Sequence, residues 1–73
     1  MSNKRTFELR AESEYIELMK LLKAEQIAQT GGHAKLLIEE GAIKVNDTVE
    51  YQKRKKLRSG DSVSFEDIQI QIL

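Results

Sequence analysis

The sequence predicts an α+β protein, in which two short helices meet at a corner and pack on a small, mostly antiparallel β-sheet. Three observations carry that class. Apolar residues recur three and four apart between residues 13 and 40, and they alternate with polar ones between residues 62 and 73. Gly–Gly, Asn–Asp and Ser–Gly–Asp punctuate the stretches between.

Each element can be justified in order. "RTFELR" alternates Phe7 and Leu9 with polar neighbours, a short strand signal. In "SEYIELMKLLKAEQIA", Ser13 stands as a capping residue, with Glu14 and Glu17 placed near the positive end of a helix. Tyr15, Leu18, Met19 and Leu22 then form one apolar stripe, which Ile16 and Leu21 widen. Thr30 caps a second helix whose buried face is Ala34, Leu37 and Ile38, and Gly41 stops it in the left-handed conformation. "AIKV" puts Ile43 and Val45 on one face of a strand, Asn46 and Asp47 reverse the chain, and Val49 and Tyr51 continue on the other side. Ser59 to Asp61 make another turn. "SVSF" and "IQIQIL" follow as strands that point Val63, Phe65, Ile68, Ile70 and Ile72 inward, joined by Glu66 and Asp67.

Composition narrows the chemistry. The chain has 73 residues, read as one domain over 1–73. It has no cysteine, which excludes disulfides and thiolate metal sites, and its single histidine, His33, builds no metal site alone. No apolar run is long enough to span a membrane, and "MSNKRTFELR" lacks the apolar segment of a secretory signal. A cytoplasmic location is expected.

The 12 basic and 12 acidic residues cancel, but their distribution is uneven. Residues 1–34 hold five of each sign, residues 35–58 hold seven basic against four acidic, and residues 59–73 hold three acidic and no basic ones. Most of the surplus lies in Lys53, Arg54, Lys55, Lys56 and Arg58. Strand parity constrains these residues. If Val49, Tyr51 and Leu57 all point inward, Lys53 and Lys55 are forced inward too, and burying unpaired ammonium groups is prohibitive in a small core. Residues 52–56 should therefore leave the sheet as a mobile protrusion, with Leu57 re-entering as an anchor and Lys44 adjacent across the hairpin. An edge strand guarded by lysine against aggregation explains the same charges without any ligand.

The entrance of the second helix, "TGGHAK", offers a second half of a site. Thr30, Gly31 and Gly32 precede first-turn N–H groups that lack partners, and Lys35 lies one turn on, which together suit an anion. The GxxxxGK[ST] spacing of a nucleotide-binding loop is absent. The competing explanation for the glycines is a tight helix–helix corner. For His33 the competing explanation is a solvent-facing helix residue rather than a partner of phosphate or base.

The segment "YIELMKLLKAEQIAQTGGHAKLLIEEGAIKVNDTVEYQKRKKLRSGDSVSF" resembles an S4 RNA-binding domain, and is especially similar to the small free-standing S4-like proteins of bacteria, the YbcJ-type group. The core of the resemblance covers about residues 13–65. It implies the S4-like (αL) fold, in which a helix pair feeds a β-hairpin and the second helix with that hairpin grips structured RNA. On this chain the helix-two lysine falls on Lys35, the hairpin turn on Val45, Asn46 and Asp47, and the basic stretch on Lys53 to Arg58, before Gly60 and Asp61. Many S4 domains open helix two with Ser–Arg where this chain has Thr30 and Gly31. The free-standing group shares the glycine, so main-chain N–H contacts are expected to stand in for the arginine.

The expected function is a non-catalytic RNA-binding module for structured RNA, ribosomal or transfer RNA, acting as a monomer with no cofactor and no small-molecule substrate. Its expected contacts are Thr30, Gly31, Gly32, His33, Lys35, Lys44, Asn46, Lys53, Arg54, Lys55, Lys56 and Arg58. Base-by-base reading of single strands is not expected, because Phe7, Tyr15, Tyr51 and Phe65 all read as inward-facing. A sulfur or modifier carrier would need a C-terminal Gly–Gly, and the chain ends "QIQIL". An enzyme would need a nucleophile–base pair that the sequence lacks. The alternative function is a protein–protein adaptor or ribosome-associated assembly factor that does not read RNA directly, with the acidic residues of helix one as its contact face.

Overall fold

The computed structural model describes residues 3–73. In chain order the elements are β1 (Asn3–Phe7), β2 (Ile16–Glu17), α1 (Leu18–Ala24), α2 (Gly31–Glu39), β3 (Ile43–Val45), β4 (Thr48–Val49), β5 (Lys56–Leu57), β6 (Ser62–Phe65) and β7 (Ile68–Ile72). Five strands form one sheet in the order β1-β7-β6-β3-β4, and β2 pairs with β5 in a separate short ladder. All pairings are antiparallel except β1 with β7, where Asn3 aligns with Ile68 and Phe7 with Ile72.

The alternation read from the sequence sets the sheet's two faces. Ile43, Val45, Val63, Ile70 and Ile72 are buried and meet Leu18, Leu21, Leu22, Ala34 and Ile38 from the helices, with Phe65 and Ile68 partly buried beside them. Lys44, Ser64 and Gln69 share a register row on the opposite face. Asn46 and Asp47 turn the β3–β4 hairpin with φ of 51° and 69°, the paired positive values of the turn that matches strand twist.

Helix two is bounded as expected. Thr30 Oγ1 accepts from His33 N–H at 3.0 Å. At the other end Gly41 adopts φ 76°, its N–H donates to Ile38 C=O, and Ala42 N–H donates to Leu37 C=O, the two bonds of a Schellman cap.

Helix one departs from expectation at its start. It starts at Leu18, not at Ser13, because Ile16 and Glu17 are drawn into the ladder with Leu57 and Lys56. No side chain caps it. Instead Leu18 N–H donates to Lys55 C=O at 2.9 Å and Met19 N–H to Lys53 C=O at 3.1 Å. It ends at Ala24, where Gln26 takes φ 59° and Ile27 and Ala28 N–H both return to Leu22 C=O.

Those two bonds also correct the expectation of a mobile protrusion. Residues 52–55 do leave the sheet, as the parity argument required. Their backbone is nonetheless tied to helix one, and Leu57 is fully buried just beyond it. Lys56, placed outside the strands by that argument, lies inside β5 beside Leu57.

Candidate nucleic-acid interface

The basic segment is built around its own carbonyls. Lys53 and Arg54 form a turn, closed by Lys55 N–H donating to Gln52 C=O at 3.1 Å. With the carbonyls of Lys53 and Lys55 committed to helix one, Lys53 and Arg54 are held exposed, and Lys55 is half-buried. Lys56 and Arg58 lean over Tyr15, with Lys56 Nζ 5.0 Å and Arg58 Cζ 5.7 Å from the ring centre. Arg58 also reaches Glu14 at 3.9 Å, an exposed pair worth little to stability.

Met19 joins this segment to the entrance of helix two. Its N–H bonds Lys53, and its terminal methyl lies 3.4 Å from where a Cβ on Gly31 would stand. The corner itself does not require glycine. Neither Gly31 nor Gly32 has a positive φ, and a Cβ on Gly32 would meet nothing nearer than Thr30 Oγ1 at 3.9 Å. Two glycines in a first helical turn cost up to about 1 kcal/mol each relative to alanine. The tight-corner explanation therefore fails, and open access to the backbone is what the pair leaves. Among the described residues nothing accepts from Gly31 or Gly32 N–H, whereas His33 N–H is used by the cap. His33 Nδ1 accepts from Gln29 N–H at 3.3 Å, so the exposed imidazole ties the helix entrance to the residue before its Thr30 cap.

Lys35 lies one turn further on, half-exposed and 3.8 Å from Glu39. Together with Tyr51, Gln52, Lys53 and Arg54, this pair lines one groove of about 440 Å³. Helix two and the basic segment thus share a surface, as their spacing suggested.

Two expected members stand apart. Lys44 is exposed on the sheet face away from the helices, because the alternation that buries Ile43 and Val45 turns it outward. Asn46 is a latch between turns: its Nδ2 donates to Asp61 Oδ1 at 3.1 Å and its Oδ1 accepts from Ser62 N–H at 3.0 Å. Asp61 Oδ2 accepts from Arg58 N–H at 2.8 Å. These two hydrogen bonds, Arg58's first, hold the Asp61 carboxyl below the usual carboxylate range, with help from the charges of Lys55 and Arg58 and against a small effect of burial. The latch fixes where the basic segment ends.

The structure also overturns the inward placement of two aromatics. Tyr51 is 64 % exposed and Tyr15 38 % exposed. Strand β4 stops at Val49, so the parity that would bury Tyr51 ends two residues too soon. Tyr15 precedes β2 and helix one rather than lying on the helix. The short distance from the Asn46–Asp47 turn to the basic run was the one sequence signal that β4 could not be long.

A larger groove of about 980 Å³ lies between the end of β1 and helix one, but four glutamates (Glu8, Glu12, Glu14 and Glu17) against Arg10 and Lys20 make it a poor host for phosphate. Among the described residues no group of His, Asp and Glu could hold a metal ion, and no helix is long and apolar enough to cross a membrane.

Comparison with known proteins matches this arrangement. Residues 7–73 match the S4 domain family. The chain is 41 % identical over 59 residues to the Escherichia coli (strain K12) protein named "Putative RNA-binding protein YbcJ", covering 81 % of this chain and 84 % of that one. It is 36 % identical over 55 residues to the Bacillus subtilis (strain 168) protein named "Probable ribosome maturation protein RlbA", covering 75 % and 78 %. The solution structure of Escherichia coli YbcJ, described as revealing an αL motif involved in RNA binding, superposes with a TM-score of 0.68 at 41 % identity over 97 % of this chain and 91 % of that one. The match over residues 7–73 and the 41 % identity to the Escherichia coli relative place the chain in the S4 domain family, to which it belongs.

Proposed function

We infer that this protein is a non-catalytic RNA-binding module whose contact surface runs from the entrance of helix two across Met19 to the basic segment and its groove. The observation that carries this reading is the continuity of that surface. The free first-turn N–H groups reach the basic segment through Met19, Lys35 lines one groove with the exposed Lys53 and Arg54 although the sequence separates them by up to 19 residues, and Lys56 and Arg58 continue the segment over Tyr15. Cations held by their backbone suit phosphates at fixed spacing, which favours structured RNA over a flexible strand.

Ribosomal RNA is the preferred partner, with transfer RNA as its competitor, and the name of the Bacillus subtilis relative supports the first. The chain acts as one domain over 1–73, as a monomer in the cytoplasm. Thr30 and His33 serve by shaping the helix entrance. Lys35, Lys53, Arg54, Lys55, Lys56 and Arg58 neutralise phosphate, and Lys44 and Asn46 stand outside the main surface. The test is to purify the protein with its bound RNA and sequence that RNA, then measure affinity for the recovered structure against an unstructured strand of equal length. Enrichment of folded ribosomal segments that bind tighter than the unstructured strand is expected. Recovery of no RNA, or equal affinity for both, would overturn the reading.

A second reading, the adaptor, has one observation in its favour, the acidic groove beside helix one. It predicts capture of a basic protein segment that survives replacement of Lys53 to Lys56 by alanine.

A further inference from the structure

The groove beside the basic segment contains a feature that phosphate binding does not use. Tyr51 is the most exposed large apolar side chain among the described residues, at 64 %. Its ring is positioned rather than loose. The hydroxyl and Cε1 lie 3.3 Å and 3.5 Å from where a Cβ on Gly41 would stand, and Val49 Cγ1 lies beside them. Gly41 is already required at its φ of 76° to end helix two, so the same missing side chain lets the ring settle along the helix end. Around the ring stand Lys35, Lys53 and Arg54, with Glu39 one helical turn from Lys35 and 3.8 Å from its ammonium group.

That combination fits a nucleobase better than a phosphate. The cations draw an RNA backbone to the rim, and the fixed ring offers a π-face of the kind on which unpaired bases stack. The Glu39 carboxylate repels phosphate inside the groove, but accepts hydrogen bonds from the N–H edge of a base. We propose that Tyr51 is a stacking platform for one unpaired base of a structured RNA, with Lys35, Lys53 and Arg54 holding the flanking phosphates and Glu39 facing the edge of that base. This rests on the RNA-binding reading above and gives that surface a preference for helices interrupted by a bulged nucleotide.

The chain has two tyrosines and no tryptophan, so tyrosine emission reports the ring directly. In a Tyr15→Phe background, Tyr51 alone emits. The probes are an RNA hairpin with one bulged adenosine and the same hairpin without it, at matched absorbance, with affinity measured separately by anisotropy of the labelled RNAs. The bulged hairpin is expected to bind tighter and to quench Tyr51 more strongly. Tyr51→Ala should weaken binding of the bulged hairpin by about 5- to 160-fold, the loss of one base–aromatic stack, and leave the bulge-free hairpin unchanged. Tyr51→Leu keeps the packing on Gly41 and Val49 without a ring and should behave as Tyr51→Ala, while Tyr51→Phe should retain affinity. Equal quenching by the two hairpins, or equal effects of Tyr51→Ala on both, would overturn the stacking proposal and leave RNA binding standing. No binding of either hairpin at low salt would overturn both.

Discussion

Replacing Leu57 with alanine separates the geometry of the basic segment from its charge. Leu57 is fully buried, pairs with Ile16, and follows directly on the two backbone bonds that fasten Lys53 and Lys55 to helix one. Truncating a buried leucine costs about 2–5 kcal/mol, as lost transfer energy plus the cavity left behind. A chain of 73 residues has a total stability of about 4–11 kcal/mol, so the variant should fold in the cold with its margin cut by roughly half. The melting temperature should fall by at least about 8 °C, since each kcal/mol moves a domain of this size by about 4–8 °C. The assay is urea unfolding followed by far-ultraviolet circular dichroism, paired with RNA affinity in the cold, where the variant is folded. Every cation is still present, yet affinity should drop, because the segment has lost its anchor. A stability loss below about 1 kcal/mol, or full RNA affinity in the folded variant, would refute the claim that a buried pin fixes these charges.

Three further outcomes follow from single contacts. Asp61→Asn should destabilise by about 1 kcal/mol near neutral pH. Because folding lowers this carboxyl's pKa, its contribution is present above the ordinary value of 3.8 and is lost as pH falls through the lower folded value, so the two proteins should converge in acid when unfolding is followed against pH. Gly32→Ala should raise stability by up to about 1 kcal/mol, since φ is ordinary and the space is open, while weakening RNA binding measured by filter retention; a gain in both would remove the backbone contact. Thr30→Ala should cost about 1 kcal/mol in thermal unfolding through loss of the His33 N–H cap.

Local rules carried much of this fold in the sequence. The positive φ values at Asn46, Asp47, Gly41 and Gly60, the Thr30 cap, and the inward row from Val63 to Ile72 each follow from residues within one turn or strand. The parity of Leu57 against Lys53 and Lys55 kept those two lysines out of the sheet, although the chain already leaves it after Val49 and rejoins a strand at Lys56. Contacts between distant segments were not legible. Nothing near Ser13 signals that Ile16 and Glu17 pair with residues 56–57, or that helix one takes its cap from the carbonyls of Lys53 and Lys55. The parallel pairing of β1 with β7 is equally remote in sequence.

The same division runs through the site. Lys35, Lys53 and Arg54 were readable as cations, and the groove that collects them is tertiary. Lys44 was misplaced because proximity across a hairpin says nothing about which face of the sheet a side chain takes. Tyr15 and Tyr51 were misplaced because aromatic residues near strands and helices are ordinarily buried, and here both elements stop short of them.

The central claim, that the tethered basic segment binds RNA through its phosphates, is tested most directly by the salt dependence of RNA affinity. About four to six phosphate contacts give a slope of about −3 to −5 in log K against log salt. Replacing Lys53, Arg54, Lys55 and Lys56 by alanine should reduce its magnitude by up to about 3, with the fold intact by circular dichroism. An unchanged slope in that folded variant, or no RNA binding at low salt, would contradict it.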